Sequence, residues 1–225
     1  MTKFLKSLAA TALLAVTATS ADAVPILSLF NTGVGPTGAP LAEDAVDPHY
    51  TLSGGAAAYT ATNAQGYPVA PAGPWVGDDS LSAWITPTLD TQGASNAVYS
   101  YTTTFDLTGL DPVSAIISGL WAADDAGGLS NIILNGVSSG LSNTNGYSSW
   151  TAFSLTSGFQ PGLNTLTFQV QNSGGGPTGV RVEMTGTASA AANAVPDGGA
   201  TAGLLGLGLM GAATLHRRAS KRHAR

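Results

Sequence analysis

An all-β fold, an antiparallel β-sandwich or jelly roll over residues 24–188, is what this sequence predicts. Three observations carry that prediction. Apolar and polar residues alternate with period two through 97–107, 163–172 and 179–188. Asn135-Gly136 stands between two strand-like runs, a strong two-residue hairpin signal. Glycine and proline punctuate the rest at short intervals, and no stretch between 24 and 195 carries a helical period.

Taken in order, the body starts weakly patterned. Residues 24–47 are rich in Gly, Pro and Ala, with ILSLFNTGV (26–34) as a first edge strand. HYTLSGGAAAYTA (49–61) reads as a strand broken at Gly54-Gly55. Residues 63–79 read as a long proline-rich loop, and Ser80 to Ile85 as a short strand. In AVYSYTTTFDL, Tyr99, Tyr101, Thr103, Phe105 and Leu107 share one face, the mark of a half-buried antiparallel strand. Gly109 to Pro112 turns the chain into VSAIISGLWAA, and LSNIILNGVSS follows with its hairpin signal. Trp150 to Leu155 is a short strand. Gln160-Pro161-Gly162 then turns into LNTLTFQVQN, with Leu166, Phe168 and Val170 inward. In TGVRVEMTGTA, Val180, Val182 and Met184 take one face, Arg181 and Glu183 the other. That makes about eight short strands.

Both ends carry addresses. Lys3 and Lys6, the apolar run 8–19 and Ala21-Asp22-Ala23 form a secretory signal peptide over 1–23, which places the mature start at Val24. At the other end a linker, 189–194, leads to Val195, Pro196, Asp197, Gly198 and Gly199. Sixteen uncharged residues follow, 200–215. As a helix they would span about 24 Å against a hydrocarbon core of about 30 Å. Arg217, Arg218, Lys221 and Arg222 close the segment with a basic stop that stays cytoplasmic. The run shows no polar face, which argues against a buried core helix. A plain permanent anchor is the competing reading.

VPDGGAT, LLGLGLMG and HRR together resemble the PEP-CTERM class of bacterial sorting signals. Asp197-Gly198 stands where the family's name motif has Glu-Pro. The resemblance implies recognition by exosortase, a membrane transpeptidase, and cleavage near residues 195–199. It implies transient anchoring in the inner membrane, export, and association with exopolysaccharide or matrix. A second resemblance covers 120–188. The run WAADD…IILNG…GLNTLTFQVQN…GPTGVRVEMTG is similar to galactose-binding-like jelly rolls.

Between Val24 and Val195 stand eleven acids and one base, Arg181, a net charge near −10. Such a body repels phosphate backbones, so no nucleic-acid partner is expected. It suits a self-repelling, soluble surface protein and attracts cations. There is no cysteine, which excludes thiol catalysis and thiolate metal sites.

Several residues are candidates for binding, Asp124, Asp125, Trp75, Trp84 and Arg181 first among them. Asp124 and Asp125, beside Gly127-Gly128, offer loop carboxylates for Ca²⁺ or sugar hydroxyls; a solvated turn explains them equally simply. Asp78-Asp79 could form a similar carboxylate site; beside it Trp75 and Trp84, and elsewhere Trp150, offer faces for stacking on sugar rings, or pack in the core. Trp121 fits the core better. Arg181 would grip a ligand from the solvent face, or pair with a neighbouring acid. His49 is the only histidine of the body, and no G-x-S-x-G elbow or H-E-x-x-H motif accompanies it. The expected function is therefore that of an exported, non-catalytic surface or matrix protein with no cofactor beyond Ca²⁺. Carbohydrate binding is the alternative. Glycoside hydrolysis by paired carboxylates comes third.

Overall fold

The computed structural model of the chain describes residues 22–43, 45–53, 67–69, 74–89 and 94–191. Residues 1–21 of the signal peptide, residues 63–66 and 70–73 of the proline-rich loop, and the whole sorting tail lie outside the described residues. Within them the chain is all-β, and no helix occurs.

Eleven strands form two antiparallel sheets. The first sheet runs β3 (Tyr67–Val69), β4 (Trp84–Thr86), β11 (Gly179–Ser189), β6 (Ile116–Asp124), β9 (Thr151–Leu155), with β1 (Ala23–Pro25) also paired to β11. The second runs β2 (Thr51–Ser53), β5 (Ala97–Asp106), β10 (Leu163–Asn172), β7 (Gly127–Leu134), β8 (Val137–Asn143). From β5 onward the chain passes repeatedly from one sheet to the other.

The inward faces of both sheets share one core, as in a β-sandwich. Tyr99, Tyr101 and Phe105 of β5 and Leu166, Phe168 and Val170 of β10 come from one side. Ile117 and Trp121 of β6 and Val180, Val182 and Met184 of β11 come from the other. Trp121 meets Phe168 across the gap at 5.6 Å between ring centroids. The alternation read in 97–107 and 163–172 is thus the alternation of burial; in β11 burial alternates from Glu183 onward, while Gly179 to Val182 are buried on both faces. Asn135 and Gly136 take positive φ, 51° and 79°, and join β7 to β8 in a two-residue hairpin.

The N-terminal readings need correction. ILSLFNTGV is not an edge strand. The first strand is β1, whose Ala23 lies opposite Ser189. The chain then wedges Asn31 and Thr32 between β11 and the segment before β4. Thr32 N donates to Val182 O and Ala83 N donates to Thr32 O; Val182 N donates to the Thr32 hydroxyl. These are side-chain as well as backbone bonds, so no hydrophobic period announces them. Ser80 to Ile85 is mostly irregular, with its strand at Trp84–Thr86. The expected long loop 63–79 contains β3. At the far end, pairing continues past residue 188 into the expected linker: Leu110 bridges Ala190, and Ala191 N donates to Gly109 O.

Candidate functional site

The outer face of the first sheet carries a second, smaller apolar layer. Trp75, Trp84 and Ala122 are buried there, with Val76, Tyr147 and Trp150 packed against them. Arg181 lies under this layer because β11 alternates: Val180 and Val182 face the main core, so Arg181 faces outward beside Ala122 of β6.

Outward is not exposed. Arg181 is 0 % accessible, which corrects the expectation of a solvent-facing guanidinium. Nε donates to Ser82 Oγ at 2.7 Å. One terminal nitrogen donates to the Gly77 carbonyl. The other lies 3.1 Å from both Asp79 Oδ1 and Glu183 Oε1. The Trp150 ring covers the guanidinium carbon at 4.7 Å, a cation–π contact. Ser82 Oγ also donates to Glu183 Oε1 at 2.9 Å. The cation is therefore held by a carbonyl, a hydroxyl, two carboxylates and a ring. This arrangement fastens residues 77–82 onto β11.

The tryptophans are equally engaged. Trp84 Nε1 donates to Val76 O at 2.6 Å, and its ring lies 4.3 Å from that of Trp75. Trp75 Nε1 donates to Asp124 Oδ2 at 2.9 Å. Both rings are buried, so the expectation of open stacking faces at Trp75 and Trp84 is not met. Trp150, the other ring the sequence offers for stacking on sugars, is the half-buried one. Its contact with Arg181 is what the sequence did not announce: in a body with one base, an aromatic face is a favourable cover for that base.

Asp124 and Asp125 do not lie in a glycine loop. Asp124 ends β6 and Gly127 already starts β7, so the connection is two residues long. The Asp124–Asp125 peptide is cis. Asp124 is 6 % accessible; Asp125 Oδ2 accepts Ser173 N at 2.7 Å. Burial, then the Asp125 carboxyl hydrogen-bonded beside it and that group's charge, push the Asp124 carboxyl up to about 7. The Trp75 N–H pulls weakly the other way. A cation at Asp124 would therefore compete with a proton held more tightly than on a free carboxyl. Asp124 and Asp125 are the two carboxylates a Ca²⁺ would find here. Among the described residues no group of three His, Cys, Asp or Glu comes together as metal ligands.

No protein-family model, curated protein or solved structure matches the chain. Its reading rests on its own residues.

A third polar cluster joins residues 30–33 to 47–49. Asp47, buried, accepts Gly33 N at 2.7 Å and His49 N at 2.8 Å. His49 stacks on Phe30 at 3.6 Å. Burial raises the Asp47 carboxyl. This aspartate joins two irregular segments, the work of a turn residue.

Proposed function

We propose that the chain is an exported, non-catalytic protein of the cell surface or extracellular matrix, held to the inner membrane by its tail until an exosortase-type enzyme processes it. The observation that carries this reading is the order of parts in the tail: VPDGG, sixteen uncharged residues, then a basic stop. The body supports it in two ways. Its entry strand and its exit lie side by side, Val24 opposite Ala188, so the opposite end of the sandwich is free to face outward. Its one base is spent on joining a loop to the sheet. A galactose-binding-like jelly roll is the finer fold we assign, supported by the chain's repeated crossing between the two sheets.

The decisive experiment changes the tail alone. With Val195, Pro196 and Asp197 all replaced by alanine, export continues and processing stops. The precursor then accumulates in the membrane, heavier than the wild-type product by about the mass of the tail. Removal of 200–225 releases the body in soluble form. An alanine variant that is cut and distributed like wild type would reduce VPDGG to a linker and the tail to an ordinary anchor.

Carbohydrate binding is the second reading, and one observation favours it. Trp150 is half-buried over Arg181, and Arg181 also pairs with Asp79, whose side chain is half exposed. A ring and a carboxylate side by side suit a pyranose. Calorimetry with the producing cell's exopolysaccharide should give a heat of binding that Trp150→Ala removes; absence of heat in the wild type ends this reading.

A further inference from the structure

The end of the sandwich from which the tail departs is apolar in a way the rest of the surface is not. Leu27, Val113 and Leu163 are 86 %, 88 % and 63 % exposed, three of the four most exposed large aliphatics among the described residues. Hydrogen bonds and pairing bring them to one pole. Leu163 pairs with Asp106, whose N donates to the Ser28 hydroxyl next to Leu27. Val113 sits in a turn clasped to Ser189, through Asp111 N to Ser189 O and Ser189 N to the Ser114 hydroxyl. Between them opens a hollow of about 690 Å³, lined by Leu107, Leu110, Pro112 and Pro161, and by Ala191, where the tail leaves.

From Ala191 to the first residue of the apolar run are nine steps. Fully extended they reach about 30 Å, and as a flexible chain they average about 16 Å. With 200–215 in a bilayer, this pole is therefore never far from the lipid surface. Exposed aliphatics at such a place are costly in water and favourable at an interface. The pole's charges are Asp106 and Asp111, and it carries no Lys or Arg. Acids suit ammonium headgroups and are repelled by anionic ones.

We propose that this pole is a lipid-seating surface, on which the unprocessed protein rests against a zwitterionic membrane face with Leu27, Val113 and Leu163 at the contact. The proposal rests on the tail reading above. It adds that the body is seated rather than freely swinging, which fixes the height of the segment 192–199 above the bilayer.

The absence of cysteine allows a single label at a chosen site. The mature chain from Val24 with its tail intact, carrying Pro161→Cys with a polarity-sensitive dye, is reconstituted into phosphatidylcholine/phosphatidylethanolamine vesicles. The control is Ser173→Cys, an exposed site at the opposite pole. Expected are a blue-shifted emission at 161 and quenching by lipid-borne nitroxides at least about threefold above that at 173. Leu27→Ser/Val113→Ser/Leu163→Ser should remove the difference while the protein still floats with vesicles, and added phosphatidylglycerol should reduce it. Equal quenching at 161 and 173 in a floating protein overturns the seating and leaves the tail reading intact. A blue shift without lipid quenching, accompanied by energy transfer between copies, assigns the pole to a second copy and also overturns it. A chain that does not float removes the tail reading, and this inference with it.

Discussion

Arg181 shows what one residue costs when its partners are fixed. Removing one member of a buried ionic cluster leaves the others desolvated and unpaired. Arg181→Met should destabilise the body by about 3–5 kcal/mol in urea unfolding. Asp79→Asn should cost below about 1 kcal/mol, because Asp79 is half exposed and Glu183 still holds the guanidinium. Equal losses would mean that Asp79, not the buried pairing with Glu183, dominates. Asp124 makes a second residue-scale prediction. Its folded pKa stands above the unfolded value of 3.8, so the folded state binds its proton more tightly. Its contribution is complete below about pH 4 and is lost as the pH rises through about 7. The melting temperature should therefore fall between pH 5.5 and 8.5, and Asp124→Asn should flatten the fall while keeping an acceptor for Trp75. Some slope should remain, since burial also raises Asp47 and Asp78. Calcium competes for the same carboxyl. If it binds there, it raises the melting temperature at pH 8.5 more than at pH 5.5, and not in Asp124→Asn; no shift at either pH removes the calcium expectation.

Strands differ in how openly they are written. β5, β10 and β11 are legible because each has one face in the core and one outside it, so burial prints a period of two on the sequence. The β7–β8 turn is legible because only Asn and Gly take its backbone cheaply. Residues 26–34 are not, because they are held by Thr32, Asn31 and Asp47 through individual hydrogen bonds. The site was half legible for a related reason. Alternation correctly sends Arg181 to the outer face of β11, yet a two-layer picture leaves that face wet. The layer over it comes from 75–84 and 147–150, which carry no period. Gly119 tests the element scale directly. A Cβ there would stand 2.1 Å from Glu183 O and 2.9 Å from Met184 Cα, both backbone. Gly119→Ala must therefore push β6 from β11, at a cost of about 1–3 kcal/mol or more in chemical unfolding. Gly128→Ala meets nothing within 4 Å and serves as the control. Indistinguishable midpoints would show that the two strands yield freely.

At the scale of the molecule, β11 is, among the described residues, both the last strand and the one with most neighbours. β6 pairs with it along one side over nine residues. Along the other side come β4 at Val180, Thr32 and Asn31 at Val182 and Met184, and β1 from Thr187 to Ser189. The tail continues directly from this strand. If the tail anchors the body as proposed, any drag that flowing water exerts on it is transmitted through β11. The load enters the interior of the sheet and not its rim. Ladder bonds lie across the strand direction, so a pull along β11 strains many of them together and cannot peel them one after another. Rupture then requires sliding the strand past its neighbours on both flanks at once. A body joined to its tether through an edge strand such as β8 or β9 would unzip under a far smaller force.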